Sequence, residues 1–159
     1  MGAAVVGEGR HLAETGAGVA AAAAVGSLAA GTGSRWYQRV RKPWFQPPRA
    51  AFPIVWTLLY GDIAVTSARA LDRATEAEAR SLRRALAVNL VLNASWTWVF
   101  FRAHRLGAAT AVAGALTASS ADLARRVAAV DRSGRALVVY PGWCAFATVL
   151  SAALWRRNR

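Results

Sequence analysis

Five apolar stretches alternate with basic and polar connections along the chain, at residues 12–33, 50–68, 85–101, 106–124 and 136–155. Each runs for 17 to 22 residues, and acidic residues enter only three of them, once each, as Glu14, Asp62 and Asp122. At about 1.5 Å of rise per residue, roughly 20 residues cross the ~30 Å hydrocarbon core of a bilayer. A helix on the surface of a soluble bundle would show a charged face in every stretch, and these do not. The pattern predicts an all-α integral membrane bundle of five transmembrane helices, a single domain over residues 1–159. The helices are expected near 12–33, 50–68, 82–103, 106–124 and 136–155. The first stretch lacks a compact basic leader, carries Glu14 and is longer than a signal core, so it reads as a retained helix. Its Gly18, Ala22, Gly26 and Ala30 recur at every fourth position, a spacing that lets membrane helices approach closely.

The connection after the first helix is the densest in chemistry. Between Trp36 and Tyr60 lie four basic residues, four prolines, three tryptophans and two tyrosines. Pro43, Pro47 and Pro48 each lack a backbone donor and restrict the preceding residue, so no helix runs through them. Trp and Tyr join an apolar ring to one polar handle, which suits a membrane boundary or the rim of a ligand cavity. Beyond the prolines the chain turns helical, with Trp56 and Tyr60 one turn apart on one face. The segment is expected to form a structured lid over the start of the second membrane helix.

Two later stretches carry stripes at helical spacing. Asn89, Asn93, Trp96 and Phe100 follow one face of the third helix, and Trp143, Ala147, Leu150 and Leu154 one face of the fifth. Two amides in hydrocarbon need partners. They either tie neighbouring helices together, at about 0.6 kcal/mol per bond, or, as Asn93 could, reach a ligand. The aromatic rows of the second, third and fifth helices are positioned to converge on one apolar space suited to a flat hydrophobic ligand. Asp62 lies two residues beyond Tyr60 and points elsewhere. Asp122 is followed by Arg125 and Arg126, either of which can pair with it at the interface.

Composition narrows the reading further. The chain is 55% hydrophobic and 18% charged, with a mean hydropathy of +0.26. The net charge of +12 is that of basic residues snorkelling at helix ends toward anionic headgroups; no continuous basic soluble face supports nucleic-acid binding. Cys144 is the only cysteine, which excludes an intrachain disulfide and a cysteine-cluster metal site and suits a small buried core residue. Of the two histidines, His11 and His104, the latter reads as a solvated loop residue beside Arg102 and Arg105. No hydrolase or metal-ligand spacing occurs. Ten cations fall on each side of a five-span topology, so the positive-inside count is tied. The five cations directly after the first helix favour loop 34–49 and the C-terminus on the cytoplasmic side.

The ordered motifs Trp36-Tyr37, Lys42-Pro43, Phe45-Gln46-Pro47-Pro48, Val55-Trp56-Thr57-Leu58-Leu59-Tyr60, Asn93 with Trp96, Phe100-Phe101, Gly107, Trp143 with Phe146-Ala147-Thr148, and Trp155-Arg156 resemble the TspO/MBR family. These are the tryptophan-rich sensory proteins of bacteria and the mitochondrial translocator protein, or peripheral benzodiazepine receptor. The resemblance spans roughly residues 12–158. It implies five transmembrane helices in a compact bundle, often a homodimer, in what the Ala- and Arg-rich usage suggests is a bacterial cell membrane. It also implies a cavity closed by the loop after the first helix, and a tetrapyrrole ligand, porphyrin or haem, with no obligatory cofactor. By position, Trp56 and Asn93 match the family's polar ligand contacts. Trp36, Tyr37, Pro43, Phe45, Tyr60, Asn89, Trp96, Phe100, Trp143 and Ala147 match its cavity-lining positions.

The chain departs from the family pattern at several points. Ala50 stands where a Trp often follows the double proline, Pro53 is displaced within Phe52-Pro53-Ile54-Val55-Trp56, and Tyr140-Pro141-Gly142-Trp143 replaces the usual run before the last helix. Leu150-Ser151 replaces Leu-Asn, Val112 an acidic residue, and Ala152 the tyrosine of the cholesterol segment, so cholesterol binding is not expected. The resemblance favours a membrane-embedded tetrapyrrole-binding sensor or regulator. The rival functions are a transporter of porphyrins or small hydrophobes, which five spans in one chain cannot build from two equal inverted halves, and a protein that degrades porphyrin in light.

Overall fold

The computed structural model describes residues 2–159, with side-chain surroundings from residue 9 onward. Helices α1 (Gly2–Ala29), α2 (Arg35–Arg39), α3 (Ala51–Arg73), α4 (Glu76–Phe101), α5 (Leu106–Val130) and α6 (Val139–Arg157) follow in order, with a 3-10 helix at Arg132–Val138 between the last two. No strand occurs among the described residues. Helix α1 lies against α3 and α4, α5 against α4 and α6, and α3 makes lighter contact with α4 and α5.

Three segments are long and apolar enough to cross a membrane: Gly9–Ala29, Ala51–Arg73 and Arg132–Arg157. Helices α4 and α5, at 26 and 25 residues, have the length. Their composition falls short of the other three, because the apolar part of α4 carries Asn89, Asn93, Ser95 and Thr97, and α5 carries Thr110, Thr117, Ser119, Ser120 and Asp122.

The helix ends differ from the expected 82–103, 106–124 and 136–155 for physical reasons. Helix α4 starts six residues earlier because Thr75 and Glu78 form a capping box: the Thr75 N–H donates to Glu78 Oε2 at 2.8 Å, and the Glu78 N–H donates back to Thr75 Oγ1 at 3.4 Å. Helix α5 runs on to Val130, its last turns carrying Asp122 bonded to Arg126 Nε at 2.7 Å. Asp131 then caps the 3-10 helix, accepting from the Ser133 N–H at 3.0 Å, and pairs with Arg73 at 2.5 Å. Helices α3 and α6 each take a proline, Pro53 and Pro141, at their third residue, where the missing donor breaks no intrahelical bond. A first helix over 12–33 also needs correction, since α1 ends at Ala29 and a turn leads to Ser34.

The small residues of α1 serve packing inside the chain. Gly26 and Ala22 are buried, and a Cβ on Gly26 or Gly18 would come within 3.5 Å of Thr97 or Leu90 of α4. At that crossing Trp98 donates its indole N–H to the Val25 carbonyl at 3.0 Å. The central core joins Ile63, Leu123, Val127, Leu137 and Tyr140, all inaccessible to solvent. A second cluster gathers Tyr37, Val40, Phe100, Ala109, Leu150 and Leu154 at the end of the bundle under residues 35–50.

Candidate functional site

A cavity of about 330 Å³ opens between these two clusters, within the range of small-molecule sites. Its wall is assembled by helical spacing. Helix α3 supplies Phe52, Trp56 and Tyr60, and α4 supplies Asn93, Trp96, Thr97 and Phe100. Helix α6 supplies Trp143, Cys144, Ala147 and Leu154, while α1 contributes only small residues such as Ala23 and Gly26. Tyr37 and Arg49 close it from the connection after α1. Residues three or four apart share a face, so α3, α4 and α6 each turn one stripe toward the same space.

The polar groups at the cavity floor form one directed chain. The Tyr60 hydroxyl donates to Asn93 Oδ1 at 2.8 Å, and Asn93 Nδ2 donates to the Tyr140 hydroxyl at 3.3 Å. The Tyr140 hydroxyl in turn donates to Asn89 Oδ1 at 2.7 Å, and Asn89 Nδ2 donates to Ser119 Oγ at 3.3 Å. Four helices are tied through two amides, so both asparagines bond across the bundle. Asn93 also borders the cavity. With one N–H and one lone pair still uncommitted, it can hold the helices and meet a ligand at once.

The indoles of Trp96 and Trp143 differ from that chain. Both residues line the cavity, and the Nε1 donor of each is buried without a partner among the described residues. A buried donor left unpaired costs about 1–3 kcal/mol. Two such donors in one apolar wall are prepared to meet an acceptor.

Of the twelve residues expected at the site, Tyr37, Trp56, Tyr60, Asn93, Trp96, Phe100, Trp143 and Ala147 line the cavity. The other four lie elsewhere. Asn89 is one turn deeper than Asn93, sealed by Tyr140 and Ser119 and inaccessible to solvent. Trp36 precedes Tyr37 on α2 and lies half-buried behind the wall, packed edge-on to Phe100 at 5.7 Å and stacked on His104 at 4.1 Å. Pro43 is buried in the connection. Phe45 packs edge-on to Phe146, with ring centroids 6.4 Å apart, behind the Tyr37 side of the wall. His104 is exposed, yet it is more than a solvated loop residue: it adopts φ 54° and carries the stack on Trp36.

Sequence reasoning passed over Tyr140, the joint between the two asparagines. Its signal was its spacing, three residues before Trp143 and seven before Ala147 on the same face. It also passed over Arg49 at the rim, whose place depends on how the proline-rich connection folds.

That connection is held as a cover. Lys42 Nζ donates to the Tyr37 and Val40 carbonyls at 2.7 and 3.1 Å and lies 4.6 Å from the centre of the Tyr37 ring. Gln46 Nε2 donates to the Tyr37 hydroxyl at 2.9 Å. At the far end of the chain Asn158 clips the connection to α6: the Arg41 N–H donates to Asn158 Oδ1 at 2.9 Å, and Asn158 Nδ2 donates to the Arg41 carbonyl at 3.0 Å. Burial, with Arg49 nearby, holds the Lys42 ammonium below its ordinary pKa, and burial pushes the Tyr37 phenol up.

Comparison with known proteins identifies the chain's relatives. Over 125 residues the chain is 34% identical to protein CrtK of Rhodobacter capsulatus, covering 77% of this chain and 78% of that one. It is 34% identical over 134 residues to the translocator protein of Homo sapiens, covering 80% and 78% of the two chains. The tryptophan-rich protein TspO of Archaeoglobus fulgidus matches at 30% over 128 residues, or 77% and 80%. The TspO/MBR family model matches residues 15–156, a span that takes in every cavity-lining residue, and the chain belongs to the TspO/MBR family of membrane proteins.

Proposed function

We propose that this protein crosses the membrane five times, through α1, α3, α4, α5 and α6, and binds a tetrapyrrole, porphyrin or haem, as a sensor or regulator. The observation that carries the reading is the cavity walled by Trp56, Trp96, Phe100 and Trp143, in which two indole donors have no partner. A flat conjugated ring gains stacking and apolar contact from such a wall, and polar atoms on its ring or periphery can accept from the indoles. Among the described residues no group of three or more His, Cys, Asp and Glu is placed to hold a metal ion. The reading rests on contacts to the organic ring, which porphyrin and haem share. A homodimer in a bacterial cell membrane, with residues 34–49 and the C-terminus cytoplasmic, completes the proposal.

Titration of the purified protein in detergent with protoporphyrin, and separately with haem, tests it by visible absorption. A saturable shift of the main porphyrin band with a micromolar midpoint, about −8 kcal/mol, is expected. A trace no different from that of empty micelles would defeat the reading.

A further inference from the structure

The cavity wall contains a single charged side chain, Arg49, among 24 lining residues. It takes part in none of the ion pairs or side-chain hydrogen bonds formed among the described residues, a condition it shares with the other arginines at this end of the bundle, and it alone among them reaches the cavity wall. Its surroundings are also uniformly positive. Lys42 lies close enough for Arg49 to disfavour its charge, and no acidic residue occurs from residue 15 to residue 61. The next one along the chain, Asp62, is thirteen residues on, roughly 20 Å along a helix.

An unpaired guanidinium at the rim of an apolar cavity, with a second cation beside it, favours an anion at that spot. A guanidinium also presents a donor fork that matches a carboxylate geometrically. We infer that Arg49 anchors a carboxylate on the periphery of the cavity's ligand, so that the site selects acidic amphiphiles: a flat apolar body seated among the tryptophans and a carboxylate held at the rim. The inference rests on the tetrapyrrole reading and adds to it which chemical form of the ring is taken. The buried indoles recognise the body of the ligand, and Arg49 sorts ligands by the charge they carry.

The test compares protoporphyrin, a dicarboxylic acid, with its uncharged dimethyl ester, each titrated in neutral maltoside micelles against the wild type, Arg49→Gln and Arg49→Lys. The free acid is expected to bind the wild type roughly five- to tenfold more tightly than the ester, the range of one charge-assisted hydrogen bond partly open to solvent. Arg49→Gln should remove that preference by weakening the acid far more than the ester, and Arg49→Lys should keep part of it. Raising the salt from about 0.05 to 0.5 M should shrink the preference, since a rim charge is screened. Equal affinity of acid and ester for the wild type overturns the inference, and so does a preference that survives Arg49→Gln. Adding anionic phosphatidylglycerol to the micelles should leave the preference standing; its abolition would assign the guanidinium to lipid headgroups instead. Absence of binding by either compound defeats the tetrapyrrole reading and the anchor with it, a result distinct from equal binding.

Discussion

At the scale of single residues, the cavity holds two kinds of polar group with opposite expected behaviour. Tyr140 satisfies two amides at once, so Tyr140→Phe leaves Asn89 Oδ1 and Asn93 Nδ2 unpaired in a buried site and should lower stability by about 1–3 kcal/mol. Trp143→Phe removes a donor that satisfies nothing in the protein. It should leave the melting temperature of the free protein unchanged or raise it, while weakening porphyrin binding by about 1–2 kcal/mol. Thermal unfolding in detergent, run beside absorption titrations, separates the two; a Trp143→Phe protein that melts earlier and binds as before would make that indole a packing element only. The stripe Asn89, Asn93, Trp96 and Phe100 was legible in the sequence because helical periodicity fixes the face. Depth along that face was not legible. Asn89 drops out of the cavity because Tyr140, on another helix, fills the space beside it, and no local pattern announces where a distant side chain will sit. Asn93 shows the same limit from the other direction. Interhelical tie and ligand contact looked like alternatives in the sequence, and the geometry lets one amide serve as both.

At the scale of elements, long helices were legible wherever charge was absent, and their ends were misplaced wherever polar chemistry extends them. Thr75 and Glu78 carry α4 past the apolar run through a capping box, a signal present in the sequence that hydropathy alone does not weigh. The 3-10 helix at Arg132–Val138 depends on Asp131, whose hydrogen bonds from Ser133, aided by Arg73 and Arg69, hold its carboxyl below the usual carboxylate range. A depressed folded-state pKa supplies stability that is present above the unfolded value, about 3.9, and is lost as pH falls through the folded one. The melting temperature should therefore decline on acidification below about pH 4, and Asp131→Asn should flatten that part of the profile; an unaltered acid limb in the variant would place the sensitivity elsewhere. The cover over the cavity makes a kinetic prediction. Asn158 exchanges two hydrogen bonds with the Arg41 backbone and donates a third to the Leu154 carbonyl at 2.7 Å. Asn158→Ala should release the connection from the C-terminal end of α6 without opening the core. Stopped-flow exchange should then show faster porphyrin entry and release, several-fold each, with the equilibrium affinity nearly kept. Loss of affinity with unchanged release would argue that the clip shapes the site rather than gating it.

At the scale of the whole molecule, the two ends of the bundle carry equal numbers of cations and unequal numbers of carboxylates. Residues 34–49, 102–105 and 156–159 hold ten Lys and Arg with no acidic residue, and the other ten cations share the rest of the chain with all eight carboxylates. Pairing sharpens the contrast. Arg73, Arg80, Arg83, Arg125 and Arg126 are bonded to Asp131, Glu76, Glu14 and Asp122, while the cavity end has no carboxylate to take up its charge. Acidic residues count for little in setting topology as a rule, so a tied cation count leaves orientation to two other features. One is the block of five cations directly after the first helix, where early segments tend to decide. The other is the anionic cytoplasmic leaflet, which attracts unpaired juxtamembrane cations by about 1 kcal/mol each near the surface. Both favour the proposed topology, with the cavity end and the C-terminus cytoplasmic and, given five crossings, the N-terminus opposite. A reporter that is fluorescent only in the cytoplasm should therefore light up when fused after Arg159, and one active only outside should stay silent there. Fusions within residues 125–135 should give the reverse pair. Neutralising Arg35, Arg39 and Lys42 together should weaken or invert the bias, whereas neutralising Arg73, Arg83 and Arg126, already paired, should change it little. An outward C-terminus in the unaltered protein would mean that the cavity faces the exterior, and a ligand would then reach Arg49 from outside the cell.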